Sequence, residues 1–191
     1  MPLDLPSPSA TCAALVMHFE AFRSKAYQDL GGSWTVGYGT HWRPDGSKVQ
    51  STDILVREVA VEWLALELAR ITDESLAFQL PQSIKSQLRQ HHIDALCSFI
   101  YNVGTGAFAG STLLRHLMDG NWKGAAGQFK SWSMVTVEGK KQQAMGLVRR
   151  RVTEREIFLG QAPARAWEAG WREIGLAAPK GNPFEKKEGT R

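Results

Sequence analysis

Cysteine is scarce in this chain: Cys12 and Cys97 are the only two among 191 residues. Neither lies in a C-x-x-C pair or at metal-ligand spacing, which argues against a disulfide scaffold and against a structural zinc site. Both lie in apolar helical runs, so two buried thiols and synthesis in a reducing compartment are expected. Long hydrophobic runs are missing too. The stretch from Ala13 to Phe19 is too short for a bilayer, which takes about 20 apolar residues. The opening Met1-Pro2-Leu3-Asp4-Leu5-Pro6 carries no basic segment, so a chain made in the cytoplasm without a signal peptide is expected. No nucleic-acid-binding signature occurs. His91-His92 has no third ligand at suitable spacing and reads as helix surface, not as a metal site. No internal repeat stands out.

What is present is globular. Hydrophobic residues make up 43% and charged residues 22%, enough to build a packed core from one domain of one or two lobes. A net charge of +4 and a pI near 9.2 favour anionic partners. Nucleic acid and a bacterial wall rich in carboxylates and phosphates meet that description equally. The seven tryptophans are many for this length and can serve either as core or as sugar-stacking surface.

Pro2, Pro6 and Pro8 make an extended lead, and Ser9 is a suitable N-cap for a helix running to about Phe22. Residues 26–40 alternate aromatic or branched residues with Gly and Ser, which predicts a small β-hairpin or meander. A loop with a Pro44-Asp45-Gly46 turn follows. Thr52 reads as the cap of a strongly apolar helix ending near Thr72. Pro81-Gln82-Ser83 opens another, from about Ile84 to Asn102, and its segment Ile93 to Ile100 is apolar nearly all round, as a central buried helix would be. Gly104, Gly106 and Gly110 break the chain. Ser111 to Asp119, Trp122 to Ser131 and Lys141 to Leu159 read as further helices. The fold class is therefore α+β: a small β lobe and a larger, mainly helical lobe, joined by the long helix 52–72, with a cleft between them.

Glu20 and Asp29 stand nine positions apart, and Thr35 follows six later inside Trp34-Thr35-Val36-Gly37-Tyr38-Gly39. Glu20 closes the apolar run Leu15-Val16-Met17-His18-Phe19, whereas Asp29 precedes Gly31-Gly32-Ser33. A carboxyl against apolar surface and a second in a polar turn are what a two-carboxylate hydrolase needs, one to keep its proton and one to stay ionised. Taken singly, each residue has a plainer use. Glu20 could pair with Arg23 at a helix end, Asp29 could cap a turn, and Thr35 could be an ordinary strand residue.

The pattern E-x8-D-x5-T within G-x-W-T-V-G-Y-G resembles the phage-type lysozymes, the endolysins of glycoside hydrolase family 24. Two further stretches carry the same resemblance: Ala95 to Gly104 with Gly110 to Leu114, and Gly146 to Arg151 with Glu154. The resemblance covers roughly residues 12–160. It implies a lysozyme-like fold and a muramidase that needs no cofactor or metal, with Glu20 as general acid, Asp29 as base or charge stabiliser, and Thr35 holding the attacking water. It further implies that Tyr101 and Asn102 lie on the cleft floor and that Gln128 contacts sugar; for Gln128 an exposed polar helix face is an equal reading. One of Arg149, Arg150 and Arg151 would face Glu20, the other two forming a solvated face. Where the family has His directly after the glycine, this chain has Thr40-His41, which puts the pairing of that His with an acidic group in doubt. The implied partner is bacterial peptidoglycan and not nucleic acid, the implied state a monomer, and the implied route to the periplasm a separate holin pore. A lytic transglycosylase and a non-catalytic wall- or nucleic-acid-binding module are the competing readings. Asp29 favours hydrolysis, since some relatives that cleave the same bond without water lack that carboxylate.

Residues 1–11 form an N-terminal extension, 12–160 the lysozyme-like catalytic domain, and 161–191 a C-terminal extension, partly helical and then flexible. In the last, Trp167 and Trp171 stand four apart near Ile174. They can pack on the body or make transient contact with a membrane surface; packing is the preferred reading.

Overall fold

The computed structural model describes residues 5–29 and 31–185. The start of the proline-rich lead and the end of the charged tail lie outside these. Ser9 caps the first helix, α1 (Ala10–Phe19), its Oγ accepting from Thr11 N–H at 3.1 Å. The cap is itself anchored: Ser9 N–H and Oγ–H donate to the two carboxylate oxygens of Asp94 at 2.8 and 2.5 Å. The helix stops three residues earlier than expected because Glu20 turns extended at the C-cap (φ −101°, ψ 126°). Glu20 therefore leaves the helix barrel and points its chain towards the β lobe.

That lobe begins with the antiparallel hairpin of β1 (Arg23–Gln28) and β2 (Trp34–Gly37), in which Tyr27 faces Thr35. Asp29 sits at the turn. The following long helix, α2 (Arg57–Ile71), starts at Val56 and not at Thr52. Residues 53–55 are drawn instead onto the hairpin edge: Ala26 N–H donates to Asp53 O at 2.9 Å and Leu55 N–H to Ser24 O at 2.8 Å. The Asp53 carboxylate is held by Arg43 at 2.6 and 2.9 Å. Edge pairing and an ion pair thus outcompete a helix cap. Past Ile71 the helix widens into a π-helical stretch, Thr72–Ala77, where Thr72 Oγ1 donates back to Leu68 O at 3.2 Å.

The helical lobe surrounds α4 (Gln90–Val103), which follows a short turn, α3 (Gln82–Lys85). The two are separate because Arg89 is extended between them (φ −109°, ψ 164°). Every residue from Ile93 to Ile100 is buried, as the all-round apolar pattern required. Around α4 lie α5 (Thr105–Ala109), α6 (Thr112–Met118), α7 (Trp122–Gln128) with a 3-10 turn at Phe129–Trp132, and α8 (Met145–Phe158). Phe99 of α4 packs edge-on against Phe129 and Trp132, with ring centroids 5.2 and 5.5 Å away. Cys12 and Cys97 are free and buried, and burial pushes the Cys97 thiol up to about 12.

A second hairpin replaces the start of the expected helix 141–159. Strands β3 (Met134–Val137) and β4 (Lys140–Gln143) pair antiparallel. Their two-residue turn needs positive φ twice, and Glu138 (φ 50°) and Gly139 (φ 75°) supply it. Last comes α9 (Pro163–Glu173), opened by a proline in its first turn and packed on α8. Beyond it the described chain, as far as residue 185, returns to the body, with Asn182 buried and Phe184 against the core. Among the described residues no helix is long and apolar enough to cross a membrane. The architecture is α+β, mainly helical with two small antiparallel hairpins.

Candidate active site

The end of α1, the first hairpin and the end of α4 enclose a cavity of about 420 Å³. Glu20, Asp29, Thr35, Tyr101 and Asn102 all line it, together with Tyr27, Gly39 and His41. Gln128 does not: it ends α7, half-buried, one residue before the core side chain Phe129. Two neighbouring cavities continue the surface. One of about 560 Å³ shares Asp29 and His41 and adds Trp34, Trp42 and Lys48. One of about 300 Å³ shares Gly39, His41, Tyr101 and Asn102 and adds Glu67, Arg70 and Glu74.

Glu20 does not sit simply against apolar surface. Its Oε1 accepts from the guanidinium of Arg150, while about 29% of its side chain remains exposed to the cavity. Arg150 is buried and held three ways: Nε donates to Glu154 Oε1 at 3.0 Å, a terminal nitrogen to Ser98 O at 3.1 Å, and the other to Glu20. Arg151, fully buried, donates to Glu154 Oε2 at 2.6 Å and to Asn102 Oδ1. Ser98 Oγ–H completes the set at 2.8 Å from Glu154 Oε1. One buried carboxylate thus anchors two guanidinium groups whose far sides meet the two cavity residues Glu20 and Asn102. The expectation of one arginine facing Glu20 holds for Arg150. The expectation of a solvated face for the other two does not. Arg151 is buried because Glu154 compensates its charge, and Arg149 is drawn against the Trp171 ring, 3.7 Å from its centroid.

Asp29 has the polar setting its turn predicted. Its Oδ1 accepts from Gly31 N–H at 2.8 Å and Ser33 N–H at 2.9 Å. Its Oδ2 lies 4.0 Å from His41 Nε2. The intervening Thr40 therefore does not break the approach of His41 to the acid. Thr40 and Val36 exchange backbone hydrogen bonds at 3.0 and 3.1 Å, closing a tight loop that sets His41 into the cavity. Thr35, nearly fully buried, donates its hydroxyl to Ser33 O at 3.1 Å, which leaves the oxygen's lone pairs to accept from a molecule in the cavity.

Gly39 lies between the lobes at φ +95°, and a Cβ there would stand 3.6 Å from Tyr101 Oη and 4.0 Å from Glu20 Oε2. Tyr101 Oη–H donates to Tyr38 O at 3.1 Å, tying α4 to the β lobe. Burial raises its phenol well above the ordinary value, so it remains a neutral donor. Among the described residues no group of three or more His, Cys, Asp or Glu is arranged to hold a metal ion.

Glu154 is the member that sequence reasoning left without a role. Its spacing of four from Arg150 and three from Arg151 was a visible signal, but the same spacing occurs on any exposed helix.

A two-lobed fold with a pair of carboxylates meeting in the cleft defines a lysozyme-type glycoside hydrolase. The phage lysozyme family model matches residues 17–154, and the chain belongs to that family. It is 37% identical over 145 residues to the endolysin of Acyrthosiphon pisum secondary endosymbiont phage 1, spanning 75% of this chain and 92% of that one. It is 37% identical over 140 residues to the endolysin of Salmonella phage P22, spanning 73% and 89%. Among solved structures, P22 lysozyme superposes with a TM-score of 0.63 at 32% identity, covering 81% of this chain and 99% of that chain. The muramidase domain of SpmX from Asticaccaulis excentricus superposes with a TM-score of 0.66 at 29% identity, covering 79% and 96%. The protein is a muramidase-type, wall-lytic enzyme.

Proposed function

We propose that this enzyme hydrolyses the β-1,4 bond between N-acetylmuramic acid and N-acetylglucosamine in bacterial peptidoglycan, and that it does so to lyse a phage's host cell. The observation that carries the reading is that Glu20 and Asp29 line one cavity and are held differently, Glu20 by a guanidinium and Asp29 by backbone N–H groups of its turn. Glu20 gives a proton to the leaving glycosidic oxygen. The carboxylate so formed is received by Arg150, which Glu154 and Ser98 hold in place. A water between Asp29 Oδ2 and Thr35 Oγ1 attacks the anomeric carbon from the other face and passes its proton to Asp29, inverting the centre. Tyr101 and Asn102 form the floor on which the sugar rests; a sugar contact by Gln128 would lie outside this cavity. The reaction calls on no cofactor or metal.

The basic surface suits a polyanionic wall, and we assign no nucleic-acid partner. The protein acts as a monomer, is made in the cytoplasm, and reaches the periplasm through a separate pore. Residues 12–160 carry the catalytic domain in this reading. The test is wall digestion with Glu20→Gln alongside the wild type. General acid catalysis is worth about 10²–10⁴-fold, so the variant should lose at least about 100-fold in turnover while keeping its circular dichroism spectrum. Mass spectrometry of the wild-type digest should find reducing muramic ends. Retention of more than about a tenth of the turnover would remove Glu20 from its role, and anhydro-muramic ends would assign a transglycosylase instead.

A further inference from the structure

Helix α9 lies beyond the residues matched to the phage lysozyme family, yet it grips both elements that supply the Glu20–Arg150 pair. On α8 it meets the segment from Arg149 to Thr153. Gly170 allows the approach, because a Cβ there would come 2.6 Å from Thr153 Oγ1 and 2.8 Å from Arg149 O. The Trp171 ring lies beneath the Arg149 guanidinium. On α1 the helix reaches the last turn. Trp167, buried, donates its Nε1–H to His18 Nε2 at 3.0 Å. The His18 ring stands edge-on to Phe19, with centroids 4.9 Å apart, and the guanidinium groups of Arg149 and Arg150 lie 5.4 and 5.6 Å from the same Phe19 ring. Glu20 is the next residue after Phe19, and Arg150 the next after Arg149.

We propose that Trp167 is a positioning residue for catalysis: its hydrogen bond to His18, made from a helix locked onto α8, fixes where Glu20 stands relative to Arg150. The proposal rests on Glu20 being the general acid. Arg150 has its own anchors in Glu154 and Ser98, so α8 needs little help. Among the described residues Glu20 has none besides Arg150. It hangs from a C-cap whose backbone N–H bonds to Val16 O, at the point where the helix gives way to extended chain. The turn before it is therefore the place where a clamp matters. His18 and Trp167 line none of the three cavities around the carboxylates. Loosening the clamp should move the acid without altering sugar contacts. Small misplacement of a reacting group is costly in the chemical step.

The experiment uses the full chain and purified peptidoglycan, at a temperature well below the melting point of every variant. Trp167→Phe keeps an aromatic ring and removes the donor. His18→Leu removes the acceptor, and His18→Gln restores one. For the loss of one hydrogen bond, kcat should fall about three- to tenfold in Trp167→Phe and in His18→Leu, with apparent KM within about twofold of wild type. The double variant Trp167→Phe/His18→Leu should be no worse than either single, and His18→Gln should retain more kcat than His18→Leu. If Trp167→Phe lowers only the melting temperature and leaves kcat intact, α9 is mere packing and the proposal fails. Additive losses in the double variant would also overturn it. Should Trp167→Phe not fold, the comparison of His18→Leu with His18→Gln decides alone: equal kcat sinks the proposal. Glu20→Gln, assayed in parallel, separates the two layers. An active Glu20→Gln refutes the acid assignment itself, whereas an inactive one beside a fully active Trp167→Phe refutes only the clamp.

Discussion

Glu154 has no exposure to solvent, yet it carries a formal charge whose partners are Arg150 and Arg151. Removing one member of such a buried set leaves the others uncompensated, at a cost of about 3–5 kcal/mol. Glu154→Gln keeps the shape and an acceptor but leaves Arg150 with the Glu20 carboxylate alone and takes from Arg151 the carboxylate it pairs with, Asn102 being its other partner. Its melting temperature should drop by roughly 6–20 °C, since each kcal/mol shifts a protein of this size by about 2–4 °C. A thermal melt by circular dichroism checks this, and a shift under about 2 °C would mean that water already satisfies the arginines. The carboxylates Glu20 and Asp29 were legible as a pair because they stand only nine positions apart and their local settings differ in kind. Arg150 and Arg151 were legible only as charge. Their burial depends on an acid on the same helix and on a serine and an asparagine from α4, and long-range compensation of that kind leaves no local pattern.

At the scale of elements, capping chemistry and periodicity read well where nothing competed. Ser9 caps α1, Ser111 caps α6 through Leu114 N–H at 3.0 Å, and α4 is buried through its apolar stretch. They misled where tertiary pairing won. Thr52 had the right chemistry for a cap, but the edge of the first hairpin claimed residues 53–55. The hairpin of β3 and β4 was hidden because its strands are short and mostly exposed, without an apolar alternation to announce them. Helix α9 invites a contrast between two glycines. In an open helical position Ala is better than Gly by about 0.5–1 kcal/mol. Gly146 in α8 has no neighbour within 4 Å of a notional Cβ, so Gly146→Ala should raise the melting temperature. Gly170→Ala has the same propensity gain, but the new methyl meets a backbone carbonyl at 2.8 Å, which cannot rotate away. Overpacking costs about 1–3 kcal/mol and outweighs the gain, so Gly170→Ala should melt lower than wild type. Differential scanning calorimetry of the pair decides the point, and a stabilising Gly170→Ala would mean that α9 rides loosely on α8.

At the scale of the molecule, acid should weaken the fold before its carboxylates titrate. His92 stacks on Trp122 with ring centroids 4.9 Å apart and accepts Arg89 N–H on Nδ1 at 3.0 Å. Burial first, then His91 and Arg89, lowers its pKa to about 4. His18 is lowered in the same direction, by burial and by Arg149. In the unfolded chain both titrate near about 6.5. Between the two values the unfolded state binds more protons than the folded one, so stability rises with pH there and falls as pH is lowered through it. The contribution is fully present above about 6.5 and for His92 is spent by about 4. Asp53, whose pKa is lowered chiefly by its hydrogen bond to Arg43, acts only further down, as pH falls below the ordinary carboxylate range. The melting temperature should therefore decline between about pH 7 and pH 4.5, ahead of the carboxylates. His92→Gln retains an acceptor at the helix N-terminus and removes the titration. It should be less stable at neutral pH for want of the stacked ring, yet lose less on acidification than wild type does. His18 would account for part of the slope that remains. Melting curves of both proteins across this range test the assignment, and identical losses in the two would show that His92 does not govern it.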